Sequence, residues 1–214
     1  MTVTLVYLEV GKRRVFASAA DWPGWSRSGK DERLALEALA AAAARYSAVP
    51  KAARIAFAPD ISLTVVERLP GDATTEFGAP GAIAKAESKR LTKKEAGRLS
   101  ALVAASWTIL DRVVENAPSS LRKGPRGGGR DRDAIVEHVL GAEVAYARKI
   151  GLRLKQPPIG EGGAIREHRN AIVAGLRAGT KGAVAGGWPA RYAARRIAWH
   201  VLDHAWEIED RSDR

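Results

Sequence analysis

The chain has no cysteine. That excludes disulfides, a thiolate nucleophile and every metal site built on sulfur. It has one methionine, four histidines and few aromatic residues, 6% of its 214 positions. It also lacks any run of 18 uncharged apolar residues, so no membrane span is expected. At the N-terminus, MTVTLVYLEVGKRR, the basic residues follow the apolar stretch, the reverse of a secretory signal. Together these absences lead us to expect a cytoplasmic protein. What the chain does have is enough apolar content to fold around a core, 46%. Its length suits one ordinary domain or two small ones.

The net charge is +11, a value that can mark a phosphate-rich partner. The excess is spread almost evenly over residues 1–70, 71–129 and 130–214, with no basic stripe and no aromatic-interleaved RNA-reading motif. Arginine outnumbers lysine 24 to 11 beside 40 alanines, which reads as a coding bias that raises the isoelectric point without a binding purpose. The reading is therefore against nucleic acid as the main partner.

The sequence changes character near residue 70. Before it, Val3, Leu5, Tyr7 and Glu9 alternate with Thr2, Thr4, Val6 and Leu8, the period of a half-buried strand. Val15-Phe16-Ala17 predicts a second strand across a turn at Gly11–Arg14. Asp21-Trp22-Pro23-Gly24-Trp25 reads as a turn, residues 31–49 as a helix stopped by Pro50, and Ile61–Glu67 as a strand. A further strand is open at Arg54–Phe57. Residues 71–89 have the composition of a linker, with Phe77 and Ile83 as candidates to dock on a neighbouring domain. After them, helices are expected over Leu91–Ala117, Asp131–Ile150, Gly163–Leu176 and from Trp188-Pro189 to about Arg211, with GPRGGGR as a flexible break. The expected fold class is α+β: a β-β-α-β domain over 1–70, a linker over 71–89, and a four-helix bundle over 90–214.

The four histidines are His138, His168, His200 and His204. The last two form HVLDH. Residues four apart lie about 40° apart around a helix, so both imidazoles leave one face, one turn apart. They share a stripe with Ala193, Ile197 and Ile208, and His138 lies on a similar stripe with Ile135, Ala142 and Tyr146. Three inward histidines on two helices can supply three legs of a tetrahedron and leave a fourth position for water or substrate. The plainer reading is of core histidines with ordinary hydrogen bonds. His168 falls about 60° off the Ile165/Ile172/Leu176 face and reads as a boundary residue. Asp203 and Glu207 neighbour the pair in sequence. Glu207, one turn beyond His204, is the candidate to orient a ligand or move a proton in catalysis; its plainer reading is a surface ion-pair residue.

With His138 in VEHVLGAE and the final helix carrying RIAWHVLDHAWEIEDR, residues 90–211 resemble the DinB-like metal-binding four-helix bundle. The resemblance implies a divalent ion such as zinc or nickel held by His138, His200 and His204. It also implies transferase or isomerase chemistry and, for some members, a low-molecular-weight thiol as cosubstrate. A chain without cysteine must take any thiol from outside, and a basic one would attract an anionic small-molecule substrate. With VFASAADWPGWSRSGKDERLALEALAAAAARY carrying the match, residues 1–70 resemble the HicB-like pattern of a strand, a D-x-P-G turn and an acidic-started helix. That resemblance keeps a second class open: a non-enzymatic interaction protein with a partner-binding domain and a structural or vestigial metal site. Trp22 and Trp25 read as cover for the sheet or the domain interface. A homo-oligomer is open in either class.

Overall fold

The computed structural model describes residues 2–58, 61–124, 129–179 and 182–212. It is a mixed α/β fold in which a four-stranded sheet precedes the long helices. The strands are β1 (Thr2–Val10), β2 (Val15–Ala19), β3 (Ser26–Gly29) and β4 (Ile61–Pro70), in the order β3-β2-β1-β4. β1 runs antiparallel to β2 and parallel to β4, and β3 runs antiparallel to β2. The sequence reading missed β3, because Ser-Arg-Ser-Gly carries no apolar alternation. Its place is set by pairing with β2 and by the bond from Ser26 Oγ to Ser18 Oγ, 2.7 Å.

Between β3 and β4 the chain makes α1 (Glu32–Ala41), α2 (Ala43–Tyr46) and α3 (Ala48–Ala52), opened by Asp31, whose carboxylate accepts from Leu34 N at 2.8 Å. Pro50 does not stop this helical run. It lies in the first turn of α3, where a backbone N–H would have no intrahelical acceptor and its loss is cheap. Arg54–Phe57 is not a strand. Phe57 instead joins Trp22, Trp25 and Tyr46 in an aromatic cluster: Trp25 stacks on Tyr46 at 5.4 Å and donates to the Leu39 carbonyl at 2.9 Å. Gly24, at φ +90, brings the turn against the last helix so closely that a Cβ there would meet Leu202 Cδ1 at 2.6 Å.

The two faces of β1 have different fates. Thr4, Val6 and Leu8 are buried on the side of α1, while Val3 and Leu5 are exposed on the other. Tyr7 and Glu9, also on that second face, are buried because residues 71–89 fold back over them. This segment contains α4 (Ala73–Phe77) and a 3-10 turn at Lys85–Ser88. Glu9 accepts from Thr75 Oγ1, from Gly81 N at 3.0 Å and from Ala82 N at 2.9 Å. Phe77 and Ile83 do not dock; Phe77 is 91% exposed. Ala79 takes that place, packed with Phe16 and Trp199.

Four long helices follow: α5 (Lys93–Asn116), α6 (Arg132–Lys149), α7 (Gly162–Ala178) and α8 (Ala190–Arg211). α5 opens on a capping box in which Thr92 and Glu95 exchange bonds. It packs on α8 and α7, and α6 packs on α8. The glycine-rich break is described only at Gly124 and from Gly129 onward; the rest lies outside the described residues. Among the described residues no helix is long and apolar enough to cross a membrane.

α8 is the wall shared by the sheet and the other helices. Toward the sheet, Arg195 is clamped by Glu87 at 2.6 and 2.9 Å, and Trp199 meets Phe16 edge-on at 6.1 Å. Arg27 of β3 lies 3.7 Å over the Trp206 ring and 3.6 Å from Asp203, while Arg45 binds Glu209 and Asp210. With one side so fixed, α8 presents the next face round to α6.

Candidate metal centre

That face carries His200 and His204, and α6 sets His138 opposite them. His200 Nε2 stands 3.3 Å from His138 Nε2, and one ligand atom from each of the three histidines lies within 4.8 Å of the others. The ring centroids are 4.6 to 5.1 Å apart. His200 is buried, at 8% exposure, and the other two are half-buried.

Three close imidazoles need a reason. Two neutral imidazoles can share one proton between facing nitrogens, and the third, His204, has a carboxylate partner in Glu207 at its Nδ1. Burial and the neighbouring imidazoles push His200 down to about 2, and burial first, then His204 and Arg130, lower His138. Both are therefore neutral at neutral pH, the state a metal ligand requires. Bonds of about 2.0–2.1 Å at tetrahedral angles separate two ligand nitrogens by roughly 3.3–3.4 Å. The His138–His200 pair already has that separation. The residues fit a divalent ion with nitrogen ligands.

Glu207 bears on the same centre. Its carboxylate sits 2.8 Å from His204 Nδ1 and 2.6 Å from an Arg211 nitrogen. The hydrogen bond from His204, then Arg211, holds the carboxyl below the usual carboxylate range. A proton fixed on Nδ1 leaves the Nε2 lone pair for the cluster, the usual task of a carboxylate behind a metal-binding histidine. Asp203, the other acidic neighbour, lies 3.6 Å from Arg27.

The structure corrects the placement of two stripes. His138, Ala142 and Tyr146 are half-buried on the flank of α6 toward α8, whereas its buried face runs through Val139, Glu143, Val144 and Ala147. His168 is not a boundary residue. It is 6% exposed, its Nε2 lies 3.5 Å from Glu143 Oε2, and it stands apart from the other three histidines.

Glu143 is the residue that sequence reasoning missed. It is 1% exposed, accepts from Trp107 Nε1 at 2.7 Å and lies 3.6 Å from Arg169 Nε. Burial pushes its carboxyl up to about 7, against the pull of Arg169 and Trp107. The signal was available: a charge four residues after Val139 and three after Leu140 falls on the apolar face of a helix. Comparison with protein-family models, with curated proteins and with solved structures finds no match to this chain.

Proposed function

We propose that α5–α8 form a metal-binding four-helix bundle of the DinB-like type. In this reading the chain is a metal-dependent enzyme whose divalent ion, zinc or nickel, is held by His138, His200 and His204. The observation that carries it is the convergence of three imidazole nitrogens from two helices within 4.8 Å, two of them at tetrahedral-ligand spacing. When bound, such an ion acts as a Lewis acid and lowers the pKa of a coordinated thiol or water. The protein's share is orientation: Glu207 fixes the His204 ring, Arg211 fixes Glu207, and the packing of α8 on the sheet fixes the turn that carries both histidines.

The chemistry proposed is transfer or isomerisation with a low-molecular-weight thiol as cosubstrate, since a chain without cysteine must bring its thiol from outside. The test is metal analysis of the purified chain beside thiol-transfer assays on model electrophiles. One ion per chain with turnover that dies on chelation is the expected result. One ion with no turnover on any thiol would favour the interaction protein with a structural metal. No ion at all would remove the reading.

A further inference from the structure

α8 carries two adjacent arginines with opposite surroundings. Arg195 is fully engaged, clamped by Glu87 and bonded to the Ala82 carbonyl at 2.7 Å. Arg196 points the other way, on the stripe of His200 and one turn before it. Its guanidinium carbon lies 4.8 Å from the Trp199 ring centroid and 5.6 Å from that of Tyr146. Tyr146 in turn meets the His200 ring edge-on at 5.6 Å and stacks near Trp188 at 5.3 Å. Arg196 is thus one aromatic ring away from the imidazole cluster.

Arg196 is half-buried and hydrogen-bonds the Tyr146 side chain. Among the described residues it makes no ion pair, and its Nη1 is buried with no hydrogen-bond partner. Arg169, Arg191 and Arg211 also have one buried nitrogen without a hydrogen-bond partner, but these three and Arg27 each face a carboxylate, and Arg196 does not. A guanidinium nitrogen shut away from water without an acceptor is costly, and the cost is removed when a ligand supplies the anion. The aromatic rings hold the guanidinium plane in place, so a fork of donors is set in advance. The planar fork of one guanidinium matches a planar carboxylate, two donors meeting two oxygens.

We propose that Arg196 and Tyr146 form the substrate subsite beside the metal centre, and that it takes a small carboxylate whose other end reaches the three histidines. This rests on the reading of those histidines as a metal site, and names the substrate class for it. Arg196 is then the specificity-determining residue, and the anion it selects is a monocarboxylate end.

The test titrates the zinc-loaded full chain with benzoate, benzamide and inorganic phosphate by calorimetry, after a separate zinc titration. Benzoate should bind one per chain, with benzamide at least tenfold weaker. Arg196→Gln should weaken benzoate at least tenfold and leave zinc affinity within about twofold, while Arg196→Lys keeps part of the benzoate affinity. The inference is overturned if wild type does not bind benzoate, or if both variants bind it like wild type. It is also overturned if Arg196→Gln loses zinc as well, which would make the arginine a support of the fold. Phosphate binding tighter than benzoate would overturn the carboxylate assignment. If zinc fails to bind wild type, the metal reading fails on its own. The same titration of the metal-free chain then decides the subsite: Arg196-dependent benzoate binding supports it, and none overturns it.

Discussion

Helix α6 carries two polar side chains five residues apart, His138 and Glu143, and the surrounding helices treat them in opposite ways. Glu143 has charge partners but incomplete hydrogen bonding: Trp107 donates to one oxygen, Arg169 and His168 lie within 3.6 Å, and Asp111 binds Arg169 at 2.8 Å, while Glu143 Oε2 is buried without a hydrogen-bond partner. His138 meets only more imidazole. The first group sets carboxylates against a guanidinium and an imidazole. The second brings together three imidazoles, with a carboxylate only behind His204, and could hold a cation. The kinds of group brought together, and not burial, distinguish the two clusters, because Glu143 is the more deeply buried of the two.

The largest effect should come from breaking the unbalanced cluster. His138→Ala, His200→Ala and His204→Ala should each weaken zinc binding by about a thousandfold, roughly 4 kcal/mol, since each removes one of three ligands. His168→Ala should leave zinc affinity unchanged, because its ring lies against Glu143. Competition with a chromophoric chelator measures all four. If His168→Ala abolishes binding and His138→Ala does not, the two clusters have been given each other's roles.

Next in size is the metal's effect on stability. An ion that binds only the folded chain, at about a hundred times its dissociation constant, adds about 2.7 kcal/mol. For a chain of this length that is a rise in Tm of roughly 5–10 °C, lost on chelation. An unchanged melting curve after verified removal would mean that the three histidines are as self-sufficient as the Glu143 group.

The sequence made the two clusters unequally legible. The pair at 200 and 204 shares a helical stripe, so its convergence follows from 3.6 residues per turn, and the acceptance of His138 needed only a second helix with an imidazole on the facing side. The Glu143 cluster has no such period. It joins Trp107, Glu143 and Arg169 from three helices, and nothing in one strip of sequence says that those strips face one another. The fold divides in the same way. β1, β2, β4 and the four long helices carry apolar periodicity and could be read. β3 does not, and exists because β2 offers it an edge. Pro50 was misread because a helix stop and a first-turn proline look alike until the helix start is known. Phe77 was expected to dock and is exposed, since Thr75 and Ala79 of the same segment took the covered places.

A smaller effect should sharpen the contrast from the carboxylate side. Glu207→Gln keeps the size of the side chain and loses the charge that holds the His204 proton on Nδ1. Zinc affinity should fall by about tenfold, the low end of what loss of an orienting carboxylate costs. Glu207→Ala should do no less. Affinity unchanged in both would leave Glu207 as a partner of Arg211 alone.

The last test asks how the Glu143 cluster responds as pH changes. The groups facing Glu143 are Trp107 and, beyond Arg169, Asp111 from α5, and His168 and Arg169 from α7. Burial raises the Glu143 carboxyl to about 7 from an ordinary 4.5, so the folded chain holds that proton more tightly than the unfolded one. Its stabilising contribution is therefore full below about 4.5 and is lost as pH rises through about 7. His168 runs the other way: burial and then Arg169 lower it, so its contribution is present above about 6.5 and is lost as pH falls. Glu143→Gln keeps an acceptor for Trp107 and deletes only the first of these two dependences. Relative to wild type, the variant should gain about 2–3 kcal/mol between pH 5 and pH 8, a Tm difference of roughly 4–10 °C, read on the metal-free chain so that the histidine centre does not contribute. A gap that stays constant with pH, or moves against the variant as pH rises, would show that Arg169 keeps Glu143 ionised throughout and that the cluster is a buried ion pair with no proton to give up.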